Sequence, residues 1–154
     1  MSNNLGMRGA AKVLLAASGL VGLAACGGDD PSHWPAERPR IDSVTYAGQS
    51  PSDALGLRFT VTFVDEDGDL GQGNLQLYLG EASAGSIGLP QLFAAQTPPL
   101  DAGATEGEFE VLVRLSEAPA SGEKITVAFE LEDAAGNRSN KPSLTLATLA
   151  PGGT

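Results

Sequence analysis

The stretch with the most chemical character is Asp65-Glu66-Asp67-Gly68-Asp69-Leu70-Gly71. Aspartates at the first, third and fifth positions of a short loop are how calcium sites converge hard oxygen ligands on one ion. The spacing does not complete a helix-flanked calcium loop. Position six is Leu70, where glycine makes the sharp turn, and position twelve is Gln76, where a glutamate supplies two oxygens. What remains is an Asp-x-Asp-Gly-Asp turn, and its residues equally suit a plain polar turn that uses Gly and Asp for their backbone tolerance. On sequence alone both readings stay open.

Other chemistry finds little support. No Gly-x-Ser-x-Gly elbow occurs, and the single histidine, His33, lies in a Pro/Gly-rich stretch outside the expected domain. There is no Cys/His set for zinc. Glu108 and Glu110 alternate along a strand and belong to a solvated face. The glycine-rich pieces around Gly71-Gln72-Gly73 and from Gly80 to Gly88 lack the strand-to-helix context of a phosphate cradle. The chain is expected to be non-catalytic, with no catalytic residue assigned. A small hydrolase is the weakest alternative, because paired carboxylates need a cleft to converge in.

The only cysteine, Cys26, closes an apolar run. Arg8 and Lys12 precede Val13 to Leu23, an apolar segment too short to span a bilayer, which takes about twenty residues. It fits the core of a secretory signal that starts at Met1 or Met7. The run ends in Leu23-Ala24-Ala25-Cys26, which resembles the lipobox of bacterial lipoproteins. That resemblance implies cleavage after Ala25, removal of residues 1–25, and a diacylglycerol on the Cys26 thiol, with acylation (palmitate or a similar chain) of the new amino group. Each buried CH₂ then contributes about 0.8 kcal/mol, so two or three chains hold firmly. The implied partner is the membrane. Gly27 rather than Asp follows the cysteine, which leans toward the outer membrane as the destination.

Net charge is −10, and loss of Arg8 and Lys12 with the leader makes the remainder more negative still. No basic patch is available to neutralise phosphates, so nucleic acid is excluded as a partner. What remains is a binding or scaffolding domain for an envelope protein, or, as the alternative, a calcium-stabilised adhesion or carbohydrate-binding module. Residues 26–40, with three prolines, two glycines and mixed charge after Cys26, read as a flexible tether.

From Ile41 the apolar period becomes two. Ile41, Val44 and Tyr46 begin a first strand. Leu55, Leu57, Phe59, Val61 and Phe63 define the clearest one, and Leu75, Leu77 and Leu79 the next. Residues 87–93 are expected to be an edge strand interrupted by Gly88 and Pro90. Phe109 to Leu115, Ile125 to Leu131 and Leu144 to Thr148 supply the rest. No helical period is visible after Cys26. Seven short strands between turn signals predict an all-β, single seven-stranded antiparallel sandwich over residues 41–150, with 151–154 as a C-terminal tail.

The run from Ile125 through Asp133-Ala134-Ala135-Gly136-Asn137 resembles the last hairpin of bacterial immunoglobulin-like domains, where an Asp-x-x-Gly-Asn turn joins the final strands. The antibody-type cysteine pair and core tryptophan are missing. The resemblance implies that the second-to-third, fourth-to-fifth and sixth-to-seventh loops share one pole. Asp65, Asp67 and Asp69 would then meet Asp133 and Asn137 as a candidate calcium site, with Asp101 and Glu106 at its rim. The first strand would start beside them. The loops at 48–53, 81–86 and 117–123 would form the far pole. Tyr78 is the one visible aromatic for a sugar platform, and Val64 and Leu112 are the outward apolar residues for a protein partner.

Overall fold

The computed structural model describes residues 33–147; the leader, Cys26 and residues 148–154 lie outside the described residues. Strands form where apolar residues recur every second position. They are β1 (Arg40–Gln49), β2 (Gly56–Val64), β3 (Asn74–Leu79) and β4 (Ala82–Gly88), followed by a short helix α1 (Leu89–Ala94), then β5 (Glu106–Arg114), β6 (Lys124–Glu132) and β7 (Ser143–Ala147). They make two antiparallel sheets, a three-stranded one in the order β1-β2-β5 and a four-stranded one in the order β4-β3-β6-β7. The fold is all-β, as the alternation predicts.

The alternation translates directly into burial. Leu57, Phe59, Val61 and Phe63 of β2 are fully buried, while Arg58, Thr60 and Thr62 stay half exposed. On β5, Phe109, Val111 and Val113 point inward and Glu108, Glu110 and Leu112 point out. Val127, Phe129 and Leu131 of β6 face them from the other sheet. The two inner faces interlock where Phe59 meets Phe129 edge-on, with ring centroids 5.2 Å apart.

One end of the molecule is closed by α1, which corrects the expected edge strand at 87–93. Pro90 in the first turn suits a helix start, where its missing N–H costs nothing, and Leu89 and Phe93 share one buried face at i, i+4. Phe93 packs on Phe63 (5.5 Å) and Phe109 (5.7 Å), so the helix plugs the open end of the sandwich. Six residues are too few to show a helical period. The strand that does lie there is β4, expected as the far-pole loop 81–86. Its residues Ala82 to Ser86 are all exposed, so it carries no apolar alternation to read. A turn at Gly80, with φ of +61°, joins it to β3.

A second correction concerns the tether. Residues 34–39 are not free but fold back on the domain. The Trp34 Nε1–H donates to the carbonyls of Arg38 (3.0 Å) and Pro39 (3.2 Å), and the Arg38 guanidinium lies 4.9 Å over the indole ring. Arg38 also donates through Nε (2.8 Å) and Nη2 (2.6 Å) to the carbonyl of Arg138. Proline and charge, which suggest a solvated linker, here supply a turn and a forked donor. Arg40 then pairs with Val64, so β1 starts at the end of the sandwich where β2 finishes.

Candidate metal centre

Three connections gather at that end: residues 65–73 between β2 and β3, residues 89–105 between β4 and β5, and residues 133–142 between β6 and β7. Asp65 follows β2, and its N–H donates to the Thr105 carbonyl at 2.7 Å. Gly68, at φ +71°, lets the chain reverse so that its own N–H reaches the Asp65 carbonyl at 3.1 Å. The chain then makes a 3-10 turn over Leu70–Gln72, and the buried Leu70 side chain pins the loop to the core. Residue 71 must be glycine, because a Cβ there would stand 2.2 Å from the Ala102 carbonyl oxygen.

Opposite, Asp133 ends β6 and is gripped by its own turn. Its N–H donates to the Asn137 carbonyl (3.0 Å) and its carbonyl accepts from Gly136, at φ +86°. One carboxylate oxygen accepts the Asn137 backbone N–H (2.8 Å), and the other accepts the Asn137 side-chain amide (2.9 Å).

The outcome is a cluster of three carboxylates. One oxygen from each of Asp65, Asp69 and Asp133 lies within 4.8 Å of the others, with Asp65 and Asp133 buried and Asp69 partly so. Asp65 uses Oδ2 to accept the Leu70 N–H at 2.8 Å, but its Oδ1 is buried and has no partner. Asp69 Oδ1 is likewise buried and unpartnered. Unsatisfied buried oxygens are costly, and carboxylates crowded together more so.

The titration behaviour reflects this crowding. Burial pushes the Asp65 carboxyl up to about 6, opposed by the Leu70 N–H and reinforced by Asp67 and Asp69. Asp69 is also raised, by burial first and then by Asp133 and Asp67. The folded state therefore holds a proton at Asp65 more tightly than the unfolded chain does. Stability from that proton is complete below the ordinary carboxylate range and is lost as pH rises through about 6. Thermal scans of cation-free protein should give a midpoint several degrees lower at pH 7.5 than at pH 5; an equal or higher midpoint at pH 7.5 would contradict the assignment of Asp65 as a buried, unpaired acid.

Of the five residues predicted as ligands, three come together. Asp67 is exposed at the mouth, close enough for its charge to act on both Asp65 and Asp69 but outside the trio. Asn137 is a positioning residue: its amide nitrogen donates to Asp133 and to the Glu37 carbonyl (2.9 Å). At the expected rim, Asp101 spends Oδ1 on the Gly103 N–H (2.7 Å), and Glu106 sits in the ladder opposite Val64. Sequence reading missed Leu70 as a backbone donor and Glu37 as the far end of the Asn137 amide. The five-residue spacing of Asp65 and Leu70 hints at the first; nothing local marks the second, a contact across 100 positions.

Elsewhere, Tyr78 does not offer a free ring. Its hydroxyl bonds Glu130 at 3.3 Å, and the Lys141 ammonium lies 4.4 Å over its face. Leu112, about half exposed, is the one large hydrophobic side chain that stands out among the described residues.

No family model matches the sequence, and no curated protein matches it. Among solved structures the chain is similar to the Clostridium perfringens spore cortex lytic enzyme SleM, at 13% identity and a TM-score of 0.44 over 70% of this chain and 27% of that one. It spans only about a quarter of that enzyme's length. It is also similar to a Niemann-Pick type C2 protein from the Japanese carpenter ant, at 11% identity and a TM-score of 0.47, covering 75% of this chain and 96% of that one.

Proposed function

We propose that the chain is a lipid-anchored cell-envelope protein, held through Cys26 at the outer membrane, whose mature part is a non-catalytic, immunoglobulin-like binding or scaffolding domain stabilised by calcium. The observation that carries the calcium part is the pair of buried, unpartnered oxygens on Asp65 and Asp69, set beside Asp133. A hard divalent cation would be coordinated by those oxygens and would neutralise the mutual repulsion, with exposed Asp67, backbone carbonyls and water available to complete a flexible oxygen shell. The immunoglobulin-like assignment is supported by the strand order β1-β2-β5 against β4-β3-β6-β7, with the acidic connections at one pole. Of the two rival binding modes, a sugar platform is disfavoured by the covered Tyr78 ring.

One preparation tests both halves. Expressed in a bacterial host with labelled palmitate, the wild type should take up label and Cys26→Ser should not. Calcium should then raise the unfolding midpoint of the metal-free protein. At a hundredfold excess over its Kd the ligand stabilises by about 2.7 kcal/mol, which for a domain of this size is roughly 10 °C. Magnesium should act more weakly, because it demands a stricter octahedron. An unchanged midpoint at millimolar calcium would remove the metal site, and label on the serine variant would remove the anchor.

A further inference from the structure

We propose that cation loading at Asp65, Asp69 and Asp133 governs whether residues 34–39 stay clamped to the domain, so that the site sets how rigidly the domain is joined to its anchor-side segment. This rests on the calcium reading above. The acidic cluster is qualified as a site by the fully buried Asp65, whose Oδ1 has no partner and belongs to the trio of converging oxygens.

The connection from the site to the segment is short and continuous. Asp133 accepts both the backbone N–H and the side-chain amide of Asn137, and that same amide donates to the Glu37 carbonyl. The next residue, Arg138, offers its carbonyl to the Arg38 fork. Arg138 is itself fixed on the β6 side by Glu130 and Glu132, each at 3.1 Å. Every inter-segment hydrogen bond named here thus lands on two consecutive residues of the turn whose shape Asp133 sets. Without a cation, repulsion from Asp65 and Asp69 drives Asp133 and its turn away from the 65–69 loop, and Asn137 and Arg138 move with it. With a cation the carboxylates are drawn together and the acceptors and donors for Glu37 and Arg38 are held in place. Linkage makes the coupling reciprocal: a docked segment must raise cation affinity by the same factor by which the cation favours docking.

The chain has a single tryptophan, Trp34, and it lies in this segment, half-buried against Arg38. Its fluorescence is therefore a direct reporter. The full chain, stripped of metal and held in detergent, is titrated with calcium chloride while acrylamide quenching of Trp34 and the unfolding midpoint are followed together. Quenching should fall about twofold or more, half-maximally at the Kd that isothermal titration gives, while the midpoint keeps rising with the logarithm of calcium concentration. Arg38→Ala leaves the carboxylates untouched and should weaken calcium binding about threefold or more by isothermal titration, with a correspondingly smaller, still positive, rise in midpoint at each calcium concentration. If calcium raises the midpoint but leaves Trp34 quenching unchanged, and Arg38→Ala binds calcium as tightly as the wild type, the coupling is wrong and the site stands. If calcium changes neither midpoint nor quenching, site and coupling fall together.

Discussion

Replacing Gly73 with alanine is expected to destabilise the domain by about 3 kcal/mol or more and to abolish the proposed stabilisation by calcium. The backbone of Gly73 (φ −96°, ψ −152°) is one that any residue adopts, so conformational strain is not the reason. Space is. A Cβ at this position would lie 1.9 Å from the Glu132 carbonyl oxygen and 2.9 Å from the Asp133 Cα. Both are backbone, at the point where β3 begins and pairs Asn74 with Glu132, so no side chain can swing aside. The clash must be relieved by parting β3 from the end of β6, which carries Asp133 away from Asp65 and Asp69. Thermal unfolding with and without calcium checks it: the midpoint should drop by roughly 10 °C, and calcium should recover little. Gly103→Ala is the matching control, since its nearest contact is the Asp101 carboxylate at 3.3 Å, which can give way. A Gly73→Ala protein that melts like the wild type would mean that the two strands do not approach as described.

Asp65→Asn should separate the two roles of the candidate metal centre, buried acid and proposed calcium ligand. In metal-free buffer at pH 7.5 the variant is expected to be more stable than the wild type, by several degrees of midpoint, because a buried acid held well above its ordinary pKa no longer has to ionise. The Leu70 N–H keeps an oxygen acceptor, and one of the three crowded charges is removed. In millimolar calcium the order should reverse on the proposed calcium reading, since one of its three carboxylates is gone and affinity should fall a hundredfold or more. Crossing curves are the signature. A variant that is destabilised without metal, yet still gains as much from calcium as the wild type, would show that Asp65 serves the fold and not an ion.

Legibility in the sequence followed the physics of burial. β2, β5 and β6 have one face in the core and one toward solvent, so their period of two is written in Leu57 to Phe63, Phe109 to Val113 and Val127 to Leu131. β4 contributes pairing to β3 but almost no buried side chain, and a strand held by backbone bonds alone leaves no pattern. The helix α1 was hidden for a different reason: its two core residues, Leu89 and Phe93, flank a proline that reads as a strand breaker as readily as a helix start. At the carboxylate cluster, residue types and loop placement were legible, since Asp65 and Asp133 directly follow strands and Asp69 lies in the same loop as Asp65. Which carboxylates face inward was not, because it depends on Leu70 anchoring one loop and Asn137 folding back within the other.

The edge position of β1 has a mechanical consequence. β1 pairs with β2 alone, begins at the acidic pole, and is preceded by the clamped segment, whereas β7 ends at the opposite pole. In a domain tethered by its N-terminal side and loaded from the far pole, tension enters at Trp34. The bonds from Arg38 and Asn137 then open one at a time, as a zipper does. Beyond Arg40 the pull runs along the strand axis, so the pairs from Arg40–Val64 to Gln49–Leu57 are sheared together instead of peeled. The domain would yield softly over its first few residues and then resist abruptly, a short compliant fuse in front of a stiff body.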